Sequence, residues 1–350
     1  MLDHFAPLPP TAAEPLARLV DVTLRDGGFE VDFHWPADLF ARIPGVLAPL
    51  GVETVELGYL GGVPLDHAVT GAGVGAYLTA EHVAAARHPG VVLAAMIHPS
   101  ALRTALDFSA YAAAGLELVR LVYHPDWFDD IVRIAGQAKG RGLAVSVNIA
   151  LASRYGRAEL VSHADRIAAA MAPDVLYVAD TCGALTPEQV TDLVTELTTT
   201  VGGSIGFHAH DFLSLGYANA LAAARAGATY LDCSLLGLGR GGGNLAGELM
   251  LIRHRLPGRR IPEALRPLLA CRARLGELAG RPVPALVPVV CGGLNLTPVE
   301  EQALVEFADA ADLDPDWAGL WLVTAANRIT SLRPADLVES WRAETAPVPR

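Results

Sequence analysis

The stretch Asp174–Val190, DVLYVADTCGALTPEQV, joins a short apolar run to a marked helix start. Val175 to Val178 are β-branched, aromatic or aliphatic, as a strand buried on both faces requires. Beyond them Thr186 sits where an N-cap belongs, Pro187 at the first helical position and Gln189 at the capping-box position. The segment predicts a strand, a polar loop and a helix. Working outward, equivalent runs begin at Leu19 (LVDVTL), Glu53 (ETVELGY), Val91 (VVLAAMI), Glu117 (ELVRLVY), Leu143 (LAVSVNI), Ser204 (SIGFHAH) and Thr229 (TYLDCSL), with helix-forming segments between them. That makes eight runs at a mean spacing of about 30 residues, the length of one β-α repeat, and predicts a closed (β/α)8 TIM barrel over residues 19–258. After Arg255 the sequence LPGRRIPEALRPLL breaks the period. Residues 259–350 read as a helical C-terminal extension whose one strand-like run is ALVPVV, and residues 1–18 as a proline-rich N-terminal arm.

Composition narrows the function. The chain has 350 residues, 52% hydrophobic and 18% charged, far from the signature of disorder. A formal net charge of −12 without a basic cluster argues against nucleic acid and anionic membranes as partners. No secretory signal or bilayer-spanning run is evident, and four scattered cysteines with no C-x-x-C pair form neither a disulfide framework nor a structural zinc site, so a soluble cytoplasmic protein is expected. Cys291, flanked by apolar residues, reads as inert core. Lys139 is the only lysine, in a polar helix end expected to be solvated. Schiff-base, pyridoxal-phosphate and P-loop chemistry each need a positioned Lys and are thereby excluded.

Barrel enzymes work at the carboxyl ends of their strands, and three of those ends carry polar residues that matter. Arg25 and Asp26 follow the first strand in DVTLRDGG. His208 and His210 share a face of the seventh, being two residues apart. Asn244 lies in the Gly-rich turn after the eighth, which closure makes a neighbour of the first. One carboxylate, two imidazoles and one amide form an open mixed O/N set, suited to octahedral Mn2+ or Mg2+ rather than a closed zinc site. A cation there would serve as the Lewis acid that the missing Lys cannot replace. Gly237–Gly242 formally matches G-x-G-x-x-G, but no acidic strand end follows at the dinucleotide spacing.

Together DVTLRDG (Asp21–Gly27), HAH (His208–His210) and GLGRGGGN (Gly237–Asn244) resemble the metal-dependent superfamily of 3-hydroxy-3-methylglutaryl-CoA lyase and isopropylmalate synthase, and within it the 4-hydroxy-2-oxovalerate aldolase branch. The resemblance implies a lyase that makes or breaks a carbon–carbon bond through the enolate of a 2-oxo acid, pyruvate first, with an aldehyde as second substrate. It implies Asp26, His208 and His210 as metal ligands with Asn244 joining them, Mn2+ as the preferred ion with Mg2+ or Co2+ as substitutes, Arg25 at the enolate oxygen and Thr181 at the substrate carboxylate. The helical extension is then a place to cap the barrel, to join copies into a homo-oligomer, or to dock an aldehyde dehydrogenase.

One departure stands out. The aldolase branch carries a basic His just after R-D-G, and here the position is Phe29. His34 and His98 are the replacements favoured as base, with His124 a further candidate. Glu56, a carboxylate inside the apolar second strand, is read as a group that orients Arg25. Two rival readings follow: a Claisen-type acyltransferase, recognisable by coenzyme A release, and a catalytically silent barrel serving as a partner subunit, recognisable by lack of metal.

Overall fold

The computed structural model describes residues 17–63, 71–102, 105–259 and 261–345, so all but the last two residues of the expected N-terminal arm lie outside the described residues. Eight short apolar runs become the parallel strands β1 (Arg18–Asp21), β2 (Thr54–Tyr59), β3 (Val92–Ile97), β4 (Leu116–Tyr123), β5 (Ala144–Ile149), β6 (Val175–Asp180), β7 (Ser204–Ala209) and β8 (Tyr230–Cys233). They pair in chain order, and β1 closes the barrel against β8 with Val20 opposite Asp232. Between strands run α1 (Ala37–Leu47), α2 (Ala80–Ala85), α3 (Phe108–Ala114), α4 (Phe128–Lys139), α5 (Arg157–Met171), α6 (Pro187–Thr200) and α7 (Gly216–Arg225). The fold is a (β/α)8 barrel. At α6 the capping box forms: the Gln189 amide N–H donates to Thr186 Oγ1, and the Thr186 N–H donates to Gln189 Oε1 at 2.9 Å.

Local chemistry shapes two departures from the sequence reading of the barrel. β1 ends at Asp21, sooner than the apolar run, because Asp21 accepts from both the backbone N–H and the hydroxyl of Thr23, at 3.2 and 2.7 Å. This Asx-type turn frees the chain to place Arg25 and Asp26 beyond the sheet. Lys139 is half-buried rather than fully solvated, and its ammonium donates to the carbonyls of Met171 and Ala172 at 3.1 and 2.5 Å. There it neutralises the negative end of α5.

Side-chain volume inside the barrel is matched across strands. A Cβ added at Gly206 on β7 would stand 2.5 Å from the ring of the buried Tyr177 on β6. Overpacking of this kind costs about 1–3 kcal/mol, so Gly206→Ala is expected to lower unfolding stability by that amount in urea denaturation, with an unchanged midpoint counting against the packing account.

The chain divides into two compact units, with the change at Gly247–Glu248 inside the short helix α8 (Gly247–Met250). The second unit continues through α9 (Pro262–Ala279), α10 (Val287–Leu294), α11 (Pro298–Ala310), α12 (Pro315–Ala325) and α13 (Pro334–Thr345). Each of these five helices has proline in its first two positions, where the missing N–H costs nothing and the fixed φ favours the helix. Val287–Val290 of the strand-like ALVPVV run are helical here. Asp316 Oδ1 accepts from the backbone N–H groups of Leu286 and Val287 at 2.6 and 3.1 Å and so starts α10, with Pro288 inside its first turn. Phe307 and Trp321 pack at 5.2 Å in this unit's core, and the buried Arg272 binds Glu248 at 2.8 Å and the Pro284 carbonyl at 2.7 Å. Cys291 is buried in α10, and burial pushes its thiol up to about 11, as an unreactive cysteine requires.

Candidate active site

Strand ends and the turns after them bring Asp26, His208 and His210 together, all buried, with one donor atom from each within 4.8 Å of the others. Asp26 follows the β1 turn, held by its N–H to the Val22 carbonyl at 2.8 Å. His208 lies on β7 and His210 just beyond it, in a β-bridge with Asn244. A side chain at Gly239 would collide with the Asn244 amide at 2.4 Å, so this glycine makes the space in which Asn244 turns toward Asp26. Its Nδ2 donates to Asp26 Oδ2 at 2.8 Å and to the Leu238 carbonyl at 3.0 Å.

The hydrogen bonds decide the tautomer that each imidazole adopts when neutral. His208 Nδ1 faces Asp232 Oδ2 at 2.9 Å, and His210 Nδ1 faces the Gly243 and Arg240 carbonyls at 3.1 and 3.2 Å. Only acceptors surround both Nδ1 atoms, so each carries its hydrogen there and presents a bare Nε2. The two Nε2 atoms stand 3.3 Å apart. Two lone pairs at that separation repel unless a cation lies between them, and octahedral ligands at about 2.1 Å set at right angles would be about 3 Å apart. Burial and the neighbouring His208 push His210 down to about 4, so it is neutral at pH 7. Burial by itself would raise the Asp26 carboxyl, but Arg25, the two histidines and the Asn244 amide hold it well below the usual carboxylate range. Asn244 Oδ1 is buried with no hydrogen-bond partner among the described residues. A divalent cation thus fits the donor set.

Arg25 forms the other half of the site. Its Nη1 pairs with Asp26 Oδ1 and its Nε donates to Glu56 Oε2 at 2.7 Å, both partners being buried. Glu56 is fully buried, and its Oε2 also accepts from Arg120 Nη1 at 3.0 Å.

A cavity of about 460 Å3 opens over these groups. Arg25, Asp26, Phe29, His98, Thr181, His208 and His210 all line it; Glu56 and His34 do not. His98, at the end of β3, hydrogen-bonds Ser100 Oγ through Nδ1 at 2.8 Å and meets the Trp127 ring edge-on at 4.7 Å. His124 also lines the cavity. His34 is exposed outside it, because the chain buries its neighbours Phe33 and Trp35 instead. Thr181 Oγ1 accepts from the Leu151 N–H at 2.9 Å and so ties the end of β6 to the loop after β5. Phe29 packs against Phe33 and Tyr59 at centroid distances of 4.9 and 6.2 Å, and the Arg240 guanidinium lies 5.4 Å over its ring.

Sequence reasoning did not single out Arg120 and Asp232. Their signal was a charge in the middle of an apolar strand run, ELVRLVY and TYLDCSL, the same feature that marked Glu56.

A closed barrel with an Asp–His–His cluster at the carboxyl ends of its strands defines a (β/α)8-barrel enzyme. The chain belongs to the HMGL-like family, whose sequence model matches residues 17–257. Among curated proteins it is 34% identical over 236 residues to 4-hydroxy-2-oxovalerate aldolase 2 of Nocardia farcinica, covering 66% of each chain. It is 31% identical over 243 residues to oxaloacetate decarboxylase of Mycobacterium tuberculosis, covering 69% of this chain and 70% of that one. The matched region thus spans about two thirds of those relatives. Among solved structures, hydroxymethylglutaryl-CoA lyase from Pseudomonas aeruginosa shares the fold with a TM-score of 0.62 at 20% identity, over 77% of this chain and 95% of that one. The carboxyl transferase domain of Rhizobium etli pyruvate carboxylase with pyruvate gives 0.61 at 20%, over 95% and 64%. Among the described residues no helix is long and apolar enough to cross a membrane.

Proposed function

We propose that the protein is a divalent-metal-dependent lyase that makes or breaks a carbon–carbon bond through the enolate of a 2-oxo acid, pyruvate first, in the manner of a 4-hydroxy-2-oxo acid aldolase. The observation that carries this reading is the buried triad of Asp26, His208 and His210 with the Arg25 guanidinium bonded to the same aspartate. The triad and Asn244 would hold a cation, with Mn2+ the expected ion, and it would supply a Lewis acid for the 2-oxo acid. Arg25, fixed by Glu56 and Asp26, keeps a permanent positive charge beside the oxygen on which enolate charge develops. Thr181 lies on the cavity wall as the group for the substrate carboxylate. In the cleavage direction His98 takes the proton of the 4-hydroxyl, the bond to C3 breaks, the aldehyde leaves, and C3 is then reprotonated.

His98 is preferred to His34 as base because it lines the cavity and His34 does not. His98→Ala is expected to lower aldol cleavage about 10²- to 10⁴-fold, the usual loss for a general base, while C3 proton exchange of pyruvate persists. His34→Ala should change neither. Mass-spectrometric deuterium uptake by pyruvate, measured beside aldehyde release, tests both statements, and absence of metal-dependent exchange in the folded wild type would sink the enolate reading.

Phe29 favours a second reading, decarboxylation of a 2-oxo acid that carries a carboxylate at C3. Loss of carbon dioxide leaves the same enolate and needs no base for a hydroxyl, so a non-basic Phe29 on the cavity wall is no obstacle to it. The likeness to a protein named oxaloacetate decarboxylase points the same way. Carbon dioxide release from oxaloacetate that survives His98→Ala, with no cleavage of a 4-hydroxy-2-oxo acid by wild type, would select this reading.

A further inference from the structure

We propose that Arg120 is a positioning residue for both halves of the site, holding Glu56 against Arg25 and Asp232 against His208. The inference rests on the cation-site reading above. Arg120 lies on β4 and is fully buried inside the barrel. Its Nη1 donates to Glu56 Oε2 on β2 at 3.0 Å, its Nη2 to Asp232 Oδ2 on β8 at 2.6 Å, and its guanidinium stacks over Tyr177 on β6 with 4.4 Å to the ring centroid. Layers of four side chains from alternate strands fill (β/α)8 barrels, and bulky aliphatic residues dominate them. Here the even-numbered strands contribute Glu56, Arg120, Tyr177 and Asp232, a layer built on charge.

Buried ion pairs are weak stabilisers, and aliphatic residues of similar volume commonly do as well or better. As a purely structural device this network is also incomplete. Glu56 Oε1, Asp232 Oδ1 and Arg120 Nε have no hydrogen-bond partner among the described residues. The bonds it does make lead to the site. From Asp26 the chain of contacts runs through Arg25, Glu56, Arg120 and Asp232 to His208, alternating in charge from one ligand of the triad to another. Three carboxylates face two guanidiniums along it, so the buried chain carries one net negative charge for a cation to offset.

Asp232 Oδ2 receives both Arg120 Nη2 and His208 Nδ1. Arg120 therefore keeps Asp232 aimed at His208, and Asp232 in turn holds the His208 ring with Nε2 toward Asp26 and His210. Partners of this kind, one bond removed from a metal, typically change its affinity 10- to 100-fold. At the other end Arg120 shares the single oxygen Glu56 Oε2 with Arg25 Nε, and so fixes where the Arg25 fork can lie.

The test is titration of the full chain with Mn2+ alone, read by the EPR signal of free Mn2+, together with kcat and KM for pyruvate C3 exchange. Arg120→Met should weaken Mn2+ binding about 10- to 100-fold and lower kcat with a smaller change in KM. Arg120→Lys, which keeps the charge but reaches only one of the two carboxylates, should recover part of each. An Arg120 that serves only the fold would reduce melting temperature while the folded protein bound Mn2+ as wild type does; that result overturns the proposal. Should Arg120→Met not fold, Asp232→Asn decides, with at least about 10-fold weaker Mn2+ binding expected and wild-type affinity overturning the proposal. Failure of wild type itself to bind Mn2+ would instead overturn the cation-site reading, and this inference with it.

Discussion

Asp26→Asn is expected to abolish high-affinity divalent-ion binding, weakening it at least about 10²-fold, and to remove turnover with it. Asn keeps the shape of the side chain and loses the only charge in the proposed ligand set of Asp26, His208, His210 and Asn244. It also removes a partner of Arg25, whose Nη1 pairs with Asp26 Oδ1, and leaves that buried guanidinium with Glu56 Oε2 as its remaining carboxylate. The cost therefore falls on both the cation and the enolate side. Titration with Mn2+ should show about one ion per wild-type chain. If Asp26→Asn held Mn2+ with the same stoichiometry and affinity, the ligand set would be wrong.

Arg25→Lys should lower the rate of pyruvate C3 exchange about 10²- to 10³-fold, the usual cost of removing one preorganised charge donor from a developing oxyanion, while Mn2+ affinity changes far less. The substitution conserves charge, so a purely Coulombic role would survive it. Geometry would not survive. The guanidinium bonds Glu56 through Nε and Asp26 through Nη1 at once, whereas an ammonium on a different stem cannot reproduce that planar fork. Near-wild-type exchange in Arg25→Lys would take Arg25 out of the chemistry and leave it as a counter-ion for Asp26.

These two expectations separate the halves of the site. Asp26 belongs to both, since its Oδ1 pairs with Arg25 while its Oδ2 faces the Asn244 amide and, at 3.9 Å, His210 Nε2. Arg25 belongs to one. A large fall in both metal binding and exchange for Asp26→Asn, beside a fall in exchange alone for Arg25→Lys, is the pattern the arrangement requires.

The barrel and much of the candidate site were legible in the chain itself because the signals are local. Strand periodicity, the Thr186–Gln189 capping box and the two-residue spacing of His208 and His210 each depend on neighbours a few bonds away. Even the meeting of Asp26 with His210 and Asn244, far apart in sequence, follows once eight equal repeats are required to close, because closure places β8 beside β1. What local signals miss is the partner of a buried charge. Arg120 and Asp232 are 112 positions apart and meet only across the barrel interior, which no spacing rule reports.

Sequence alone thus determined the repeat, the order of the strands, the family resemblance and the residue types gathered at the strand ends, since these follow from chain periodicity and from the topology it imposes. Tertiary structure alone decided between His34 and His98 as the one that faces the cavity. His98 continues from β3 onto the cavity wall, whereas burial of Phe33 and Trp35 turns His34 to solvent. It alone decided that Lys139 caps α5 and that Val287–Val290 fold as helix, because the carbonyls of Met171 and Ala172 and the carboxylate of Asp316 come from segments distant in the chain. And it alone decided that Glu56, Arg120 and Asp232 share one charged layer. A buried charge is tolerable only where an opposite charge arrives through space, and that arrival is a property of the closed barrel.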